Sequence, residues 1–279
     1  VVKFDHCWSF YNGYFTNFVN STGDGNGIKA GGYGTSGGKY PTNNIPHHVV
    51  EFCLTVRNSA SGFYANHHLD GQIWLNNTAY RNADDFNMLC SSNNSSPSGD
   101  VPGFNHVMKN NLGYNASSTE VSNLGTSNDL TFNFFTLPVY VASNDFVTLD
   151  ESLLTKPRQA NGSLPYINFA RLTNTSDCID VGTNLGFAFY GAAPDLGAFE
   201  FGPTNPPSPT ISRLGTNLSF TTSGWANQTN YLIASSDLSL PPSQWITIAT
   251  NFSDLSGNCT FTQAIPAGVP ERFYRISFP

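Results

Sequence analysis

Phe52-Cys53-Leu54-Thr55-Val56-Arg57-Asn58 and Asn76-Asn77-Thr78-Ala79-Tyr80-Arg81-Asn82 lie 24 residues apart and can be laid over one another. Two further segments fit the same template: Phe4-Asp5-His6-Cys7-Trp8-Ser9-Phe10-Tyr11-Asn12 and Asn110-Asn111-Leu112-Gly113-Tyr114-Asn115. Each closes on a large apolar residue followed within two positions by Asn. A second register trails the first, with Gly27-Ile28-Lys29, Gly62-Phe63-Tyr64 and Asp85-Phe86-Asn87 each following a strand-like segment. Short β segments recurring with a period of roughly 20-odd residues are the signature of a solenoid. Neighbouring coils then pair in parallel about 4.8 Å apart, and residues at one register position stack into ladders. The template places Cys7 on Cys53, stacks Ile28, Phe63 and Phe86, and makes Asn76-Asn77 part of an internal amide ladder. The fold class expected is all-β, a right-handed parallel β-helix followed by a small β-sandwich.

Domain boundaries follow from punctuation. Residues 116–200 are less regular, with apolar runs at Leu130–Phe135 and Leu137–Val141, and read as the last coils and cap of a solenoid covering 1–202. Residues 203–209 form a proline-rich linker, stiff and extended. Residues 210–279 carry short alternating runs (Leu218–Phe220, Tyr231–Ile233, Trp245–Ile248, Phe273–Phe278) between Gly, Pro and Asn turns, the pattern of a small sandwich. The chain opens on Val1-Val2-Lys3-Phe4, alternating like the interior of a strand, without initiator Met or signal peptide. That start reads as lying inside a domain, which would leave an open coil at Val1–Phe10 as an edge for pairing with another chain.

Composition narrows the function classes. Among 279 residues there are 12 Lys+Arg and 19 Asp+Glu, a net charge of −7, with 11% charged and 39% hydrophobic. Disorder needs the opposite balance, and a nucleic-acid binder needs clustered cations, which are absent. No run of about 18 apolar residues is present to span a membrane. The polar content is instead uncharged and includes 32 Asn, which suits turn-rich β structure and an extracellular setting. Sequons such as those at Asn20, Asn76, Asn115 and Asn217 arise readily in so Asn-rich a chain. The five cysteines, Cys7, Cys53, Cys90, Cys178 and Cys259, form no CxxC pair. A structural zinc site is disfavoured, and the odd number leaves at least one outside any internal disulfide.

The most specific stretch is Gly23-Asp24-Gly25-Asn26-Gly27-Ile28-Lys29-Ala30-Gly31-Gly32. A lone lysine among glycines on a solenoid face is unusual, and glycine permits close approach to the backbone. The spacing is not that of a P-loop and no helical pattern follows. An exposed lysine in a glycine-rich turn is the plain alternative.

This stretch resembles the GDGNGFKLGG signature of polysaccharide lyase family nine, the pectate lyases built on a right-handed parallel β-helix. Ala60-Ser61-Gly62-Phe63-Tyr64-Ala65-Asn66-His67-His68 and Leu75-Asn76-Asn77-Thr78-Ala79-Tyr80-Arg81-Asn82 resemble that family as well. The resemblance is strong over residues 1–115 and weaker to 201; the tail from 210 resembles small C-terminal β-modules of secreted bacterial enzymes. It implies a secreted enzyme that cleaves pectate or a related acidic polysaccharide by calcium-assisted β-elimination, with Lys29 as the base. A base must be neutral to accept a proton, so a nearby cation or partial burial is expected beside Lys29. The family's calcium ligands come from acidic clusters of the type DNADG and SDDGxD, and nothing before Asp24 matches them. They are therefore expected upstream of Val1, with Asp24 a weak local candidate.

Other residues are candidates for holding substrate. Lys39, Arg57 and Arg81 could grip uronate carboxylates, since a chain of net charge −7 needs local cations to hold a polyanion. Asn66 and His67 follow one coil after Lys29, and Tyr64, in register with Lys29, could stack on a sugar ring. His47, His48, His67 and His68 lack the HExxH pattern of zinc proteases. Asp84-Asp85 raises a glycoside hydrolase as a rival, although adjacent strand residues point to opposite faces. Trp225 and Trp245 could bind sugar by stacking, though so small a sandwich more often buries them. A non-catalytic, glycan-binding or structural β-helix is the rival outside enzymology.

Overall fold

A computed structural model describes residues 1–33, 43–93, 99–159, 162–202, 209–223, 229–254, 258–266, 268 and 271–277. Two compact units are present: 1–183 with 195–200, and 184–194 with 201–279. The expected break at 202/203 therefore differs in one stretch, because 184–194 clusters with the second unit. Lys39, Trp225 and almost all of the expected linker lie outside the described residues.

The first unit is a parallel β-helix. Its first coil carries β1 (Lys3–Asp5), β2 (Trp8–Phe10) and β3 (Ile28–Lys29), and its second β4 (Val49–Glu51), β5 (Leu54–Val56) and β6 (Phe63–Tyr64). The third carries β7 (Ile73–Leu75), β8 (Thr78–Tyr80) and β9 (Asp84–Asn87), then a hairpin of β10 (Cys90–Ser91) and β11 (Asp100–Val101). The fourth carries β12 (Val107–Lys109), β13 (Leu112–Tyr114) and β14 (Thr119–Ser122). Three four-stranded sheets result, in the orders β1-β4-β7-β12, β13-β8-β5-β2 and β14-β9-β6-β3. The anticipated register is present, with Ile28 opposite Phe63 and Phe63 opposite Phe86. The Phe63 and Phe86 rings stack at 5.0 Å. Ile28, Val50, Phe63, Trp74, Phe86, Met88 and Met108 share one buried core.

Asparagine holds the corners. Asn58 Oδ1 accepts from the backbone N–H and Nδ2–H of Asn12 (3.0 and 2.7 Å), and Asn82 Oδ1 accepts the same pair from Asn58 (3.0 and 2.8 Å). A second ladder runs through Asn77, Asn111 and Asn133, with Nδ2-to-Oδ1 distances of 3.0 and 2.8 Å. Cys53 is its rung before Asn77, its own N–H donating to Asn77 Oδ1 and its Sγ accepting from the Cys7 N–H. The residue before each rung has a left-handed backbone, including Tyr11, Arg57, Arg81, Phe52, Asn76, Asn110 and Phe132. That conformation costs a non-glycine residue about 1 kcal/mol or more. It persists because the buried amide of the next residue is fully hydrogen-bonded in it, and a buried amide without partners costs more.

The runs at Leu130–Phe135 and Leu137–Val141 are not strands. Leu130, Phe134 and Phe135 pack against the end of the core, so their apolar side chains are used to close the stack. Across sheet two, the Gly197 N–H donates to Asn110 O and the Ala198 N–H to Thr78 Oγ1.

In the second unit, β15 (Thr210–Leu214), β16 (Asn217–Ser223) and β19 (Asn258–Ala264) form one antiparallel sheet. β17 (Thr229–Ser235), β18 (Ile246–Phe252) and β20 (Phe273–Ser277) form another. Phe220, Cys259 and Phe261 from the first meet Leu232 and Ile276 from the second in one core. Trp245 Nε1–H donates to Leu240 O at 2.9 Å. The cysteines are unpaired, Cys7 exposed and the other four buried.

Candidate active site

The glycine-rich stretch delivers Lys29 to the outer row of sheet three. Two of its glycines serve coil packing: Gly25 has φ +67°, and a Cβ there would lie 2.0 Å from Ser59 Oγ, while a Cβ on Gly31 would lie 1.7 Å from Ala65 O. They let the first coil close onto the second. Asn26 Oδ1 adds a tie by accepting from the Ser61 N–H at 3.0 Å.

Strand alternation turns Ile28 into the core, where the residue is 5% exposed, and Lys29 outward, where the side chain is 37% exposed. Lys29 stands opposite Tyr64, and Tyr64 opposite Asn87. Lys29 Nζ lies 2.6 Å from Asp24 Oδ2 and 5.7 Å from the Tyr64 ring centre. Its hydrogen bond to Lys29 holds the Asp24 carboxyl below the usual range. Of the two features expected beside Lys29, partial burial is present; among the described residues its charged partner is the Asp24 carboxylate, which the lysine engages.

Beyond Lys29 a polar chain continues. Tyr64 Oη is 2.7 Å from His67 Nε2, and His67 Nδ1 is 2.7 Å from Asp100 Oδ1. Successive left-handed residues, Asn66 and His67 (φ 55° and 54°), turn the backbone after β6 and bring the imidazole back to the tyrosine. β11 supplies Asp100, which pairs with Ser91 in the hairpin. Burial, with the charges of Asp100 and Asp24 behind it, pushes the Tyr64 hydroxyl up to about 12. Asp100 carried no signal in the sequence, because it reaches His67 through a hairpin 33 residues on.

Arg57 and Arg81 stand on the turns after β5 and β8 and converge on Glu151. Arg57 Nη1 lies 3.2 Å from Glu151 Oε2 and Arg81 Nη1 3.0 Å from Oε1, and Tyr11 Oη–H donates to Oε2. The structure therefore gathers Lys29, Tyr64 and His67 beside strands β3 and β6, sets Asn66 on the turn that follows, and ties the two arginines to a carboxylate elsewhere. Asp85 is fully buried, while Asp84 accepts from Ser122 Oγ–H at 2.8 Å. The pair shares no open face and cannot serve a glycoside hydrolase.

A family model described as the Pel9A-like, right-handed beta helix region matches residues 1–117. Over these residues the chain is Pel9A-like in sequence as well as in fold. Pectate lyase L of Dickeya dadantii (strain 3937) is 34% identical over 203 residues, covering 71% of this chain and 42% of that protein. Pectate lyase L of Dickeya chrysanthemi is 33% identical over 201 residues, with coverages of 71% and 42%. Among solved structures, a rhamnogalacturonan lyase matches with TM-score 0.55 and 37% identity, over 62% of this chain and 43% of that one. The crystal structure of pectate lyase Pel9A matches with TM-score 0.54 and 30% identity, over 71% and 45%. The chain spans less than half the length of each of these relatives.

Calcium, which the Pel9A-like resemblance implies, takes six to eight oxygen ligands. Among the described residues no three His, Cys, Asp or Glu side chains gather as a metal site, and the carboxylates nearest Lys29 are engaged by Lys29 and His67. The described residues do not fit the ion, and no step is derived through it. No helix among them is long and apolar enough to cross a membrane.

Proposed function

We propose that this Pel9A-like β-helix belongs to a secreted polysaccharide lyase that cleaves a uronate polymer by β-elimination, with Lys29 as the base. The observation that carries the reading is the outward Lys29 amine in register with Tyr64, at a site reached by the glycine signature. The names of the relatives support the class and leave two polymer types, pectate and rhamnogalacturonan.

The hydrogen at C5 of a uronate is acidified by the neighbouring carboxylate. Lys29 accepts it through the lone pair of its amine, the electron pair moves into the C4–C5 bond, and the C4–O4 bond breaks to leave an unsaturated sugar. The Asp24 carboxylate at 2.6 Å is placed to hold the ammonium that forms. Tyr64, Asn66 and His67 line the same face and contact the sugar. General-base catalysis of this kind contributes about 10²–10⁴-fold.

The test is incubation of the full-length protein with polygalacturonate or rhamnogalacturonan, with and without calcium. A lyase yields conjugated ultraviolet absorbance, a hydrolase yields reducing ends without it, and a binding protein yields neither. Lys29→Ala is expected to fold and to lose elimination on both polymers. Full activity in that variant removes Lys29 from the mechanism.

A further inference from the structure

We propose that Tyr64 is a second catalytic residue, the proton donor to the departing 4-oxygen, resupplied by His67 with Asp100 holding the ring. The inference rests on the lyase reading above and adds to it the acid that Lys29 cannot supply. One amine takes the C5 hydrogen, and an alkoxide leaving C4 without a proton is a poor leaving group. A second group must therefore stand on the other side of the C4–C5 bond.

Adjacent rungs of a parallel sheet are about 4.8 Å apart, enough to place two side chains on either side of one carbon–carbon bond. Lys29 and Tyr64 occupy adjacent rungs of the same outward row. Of the groups linked to Lys29, Asp24 is a carboxylate that accepts from the lysine at 2.6 Å and cannot donate. Tyr64 keeps its proton, because burial and two nearby carboxylates disfavour the phenolate. Its hydroxyl is also the outer end of a continuous path, Tyr64 Oη to His67 Nε2 to Asp100, each link 2.7 Å. A tyrosine that served only to stack on a sugar ring would need no such backing.

The protons balance as follows. The step begins with both His67 nitrogens protonated, Nδ1–H directed to Asp100 and Nε2–H to Tyr64 Oη. As the C4–O4 bond breaks, the Tyr64 hydroxyl proton moves to O4, and the His67 Nε2 proton moves to Tyr64 Oη. His67 is left neutral, still donating Nδ1–H to Asp100, and Lys29 carries the hydrogen from C5. Solvent later returns one proton to His67 and removes one from Lys29, so nothing is oxidised or reduced.

The experiment separates proton abstraction from leaving-group departure by running the full-length protein on its uronate polymer in deuterium oxide. Tyr64→Phe keeps the ring and is expected to slow elimination by roughly 10²–10³-fold. The uncleaved polymer should meanwhile acquire deuterium at C5, because Lys29 still removes that hydrogen and returns a solvent deuteron. Asp100→Asn should show the same split with a smaller loss, and Lys29→Ala should show neither elimination nor exchange. Elimination by Tyr64→Phe within about threefold of wild type overturns the role, as does parallel loss of elimination and exchange. A wild-type protein that eliminates neither polymer takes down the lyase reading itself, a result distinct from either of those.

Discussion

Asp85 completes the ladder that Asn82 would otherwise leave open: its Oδ1 accepts from the Asn82 N–H at 3.2 Å and from Nδ2–H at 2.8 Å. The fourth coil has Ala116 where a further Asn rung would stand, and Asp85 reaches across to accept the Tyr114 N–H on Oδ2 at 3.1 Å. The substitution of an acid for an amide has a cost. Burial first, then the neighbouring Glu120 carboxyl, pushes the Asp85 carboxyl well above its usual range. Glu120 Oε2 is buried without a hydrogen-bond partner among the described residues, so a second acid sits unsatisfied beside the first.

Glu120→Gln should therefore stabilise the protein at neutral pH. The change removes a second buried acid beside Asp85 and puts an N–H donor in its place. A raised folded-state value means that native Asp85 binds a proton the unfolded chain has released, so stability from this group falls as pH rises through that value. The variant should remove part of that fall and gain about 1–2 kcal/mol near pH 7. Urea midpoints at pH 5 and 7.5 check it; an unchanged difference between the two sinks the attribution to Glu120.

Asn58→Leu should cost about 2–4 kcal/mol, since its amide is fully buried and both neighbouring rungs lose partners. It also releases Arg57 from the force that holds its left-handed backbone. Circular-dichroism melts would register the loss. A change under about 0.5 kcal/mol would mean the ladder follows the coil geometry and does not enforce it.

The ladders were legible because their spacing is local: Asn58 and Asn82 differ by one 24-residue coil, and the apolar register at Ile28, Phe63 and Phe86 repeats with them. Lys29 was legible because strand alternation and a glycine-dense stretch leave it no other direction. The partners that surround these residues were not. Asp100 reaches His67 from a hairpin, and Glu151 reaches Arg57 and Arg81 from 94 and 70 residues away. No periodicity connects such positions, so the arginines read as free cations. Apolar runs such as Leu130–Phe135 have strand composition, yet what a run becomes depends on whether an edge or an open core end lies beside it.

Gly31→Ala should reduce activity more than stability. A Cβ there meets Ala65 O at 1.7 Å, and backbone cannot yield as a side chain does. The strain is relieved by sliding the turn that carries Asn66 and His67 away from β3, which separates Lys29 from the Tyr64–His67 pair. Comparison of kcat with melting temperature tests this. Activity retained alongside a large stability loss would show the strain relaxing away from the site.

Acid should destabilise the fold through two buried imidazoles. His106 Nδ1 accepts from the Gln72 N–H and Trp74 Nε1–H, and Nε2 faces Met88 O; burial lowers it from 6.5 to about 4. His68, with Nε2 on Pro46 O, is likewise lowered to about 4. The unfolded chain takes up these protons first as pH falls, so the stability from each ring is complete above about pH 6.5 and is lost on the way to pH 4. Each is worth roughly 3 kcal/mol at most over that window. His106→Gln should start less stable at pH 7.5 and decline more gently. Subtracting the two curves cancels the opposite trend from Asp85, and parallel curves would assign the acid loss elsewhere.

Glu151 fastens its segment to three successive coils by accepting from Tyr11, Arg57 and Arg81. Its side chain is 11% exposed, against 35% and 40% for the arginines, so this is neither a solvated surface pair nor a buried one. Salt screens the exposed half, and about 1–3 kcal/mol is a fair expectation for removing the carboxylate. Glu151→Ala and Arg57→Ala should each destabilise the fold, and the double variant should lose less than the sum, since both remove the same interaction. The KM for a uronate polymer should stay within about twofold in both, because the guanidiniums are already spent on Glu151. A raised KM in Arg57→Ala with an unchanged KM in Glu151→Ala would reverse the assignment, returning Arg57 to the substrate as the cation expected from sequence.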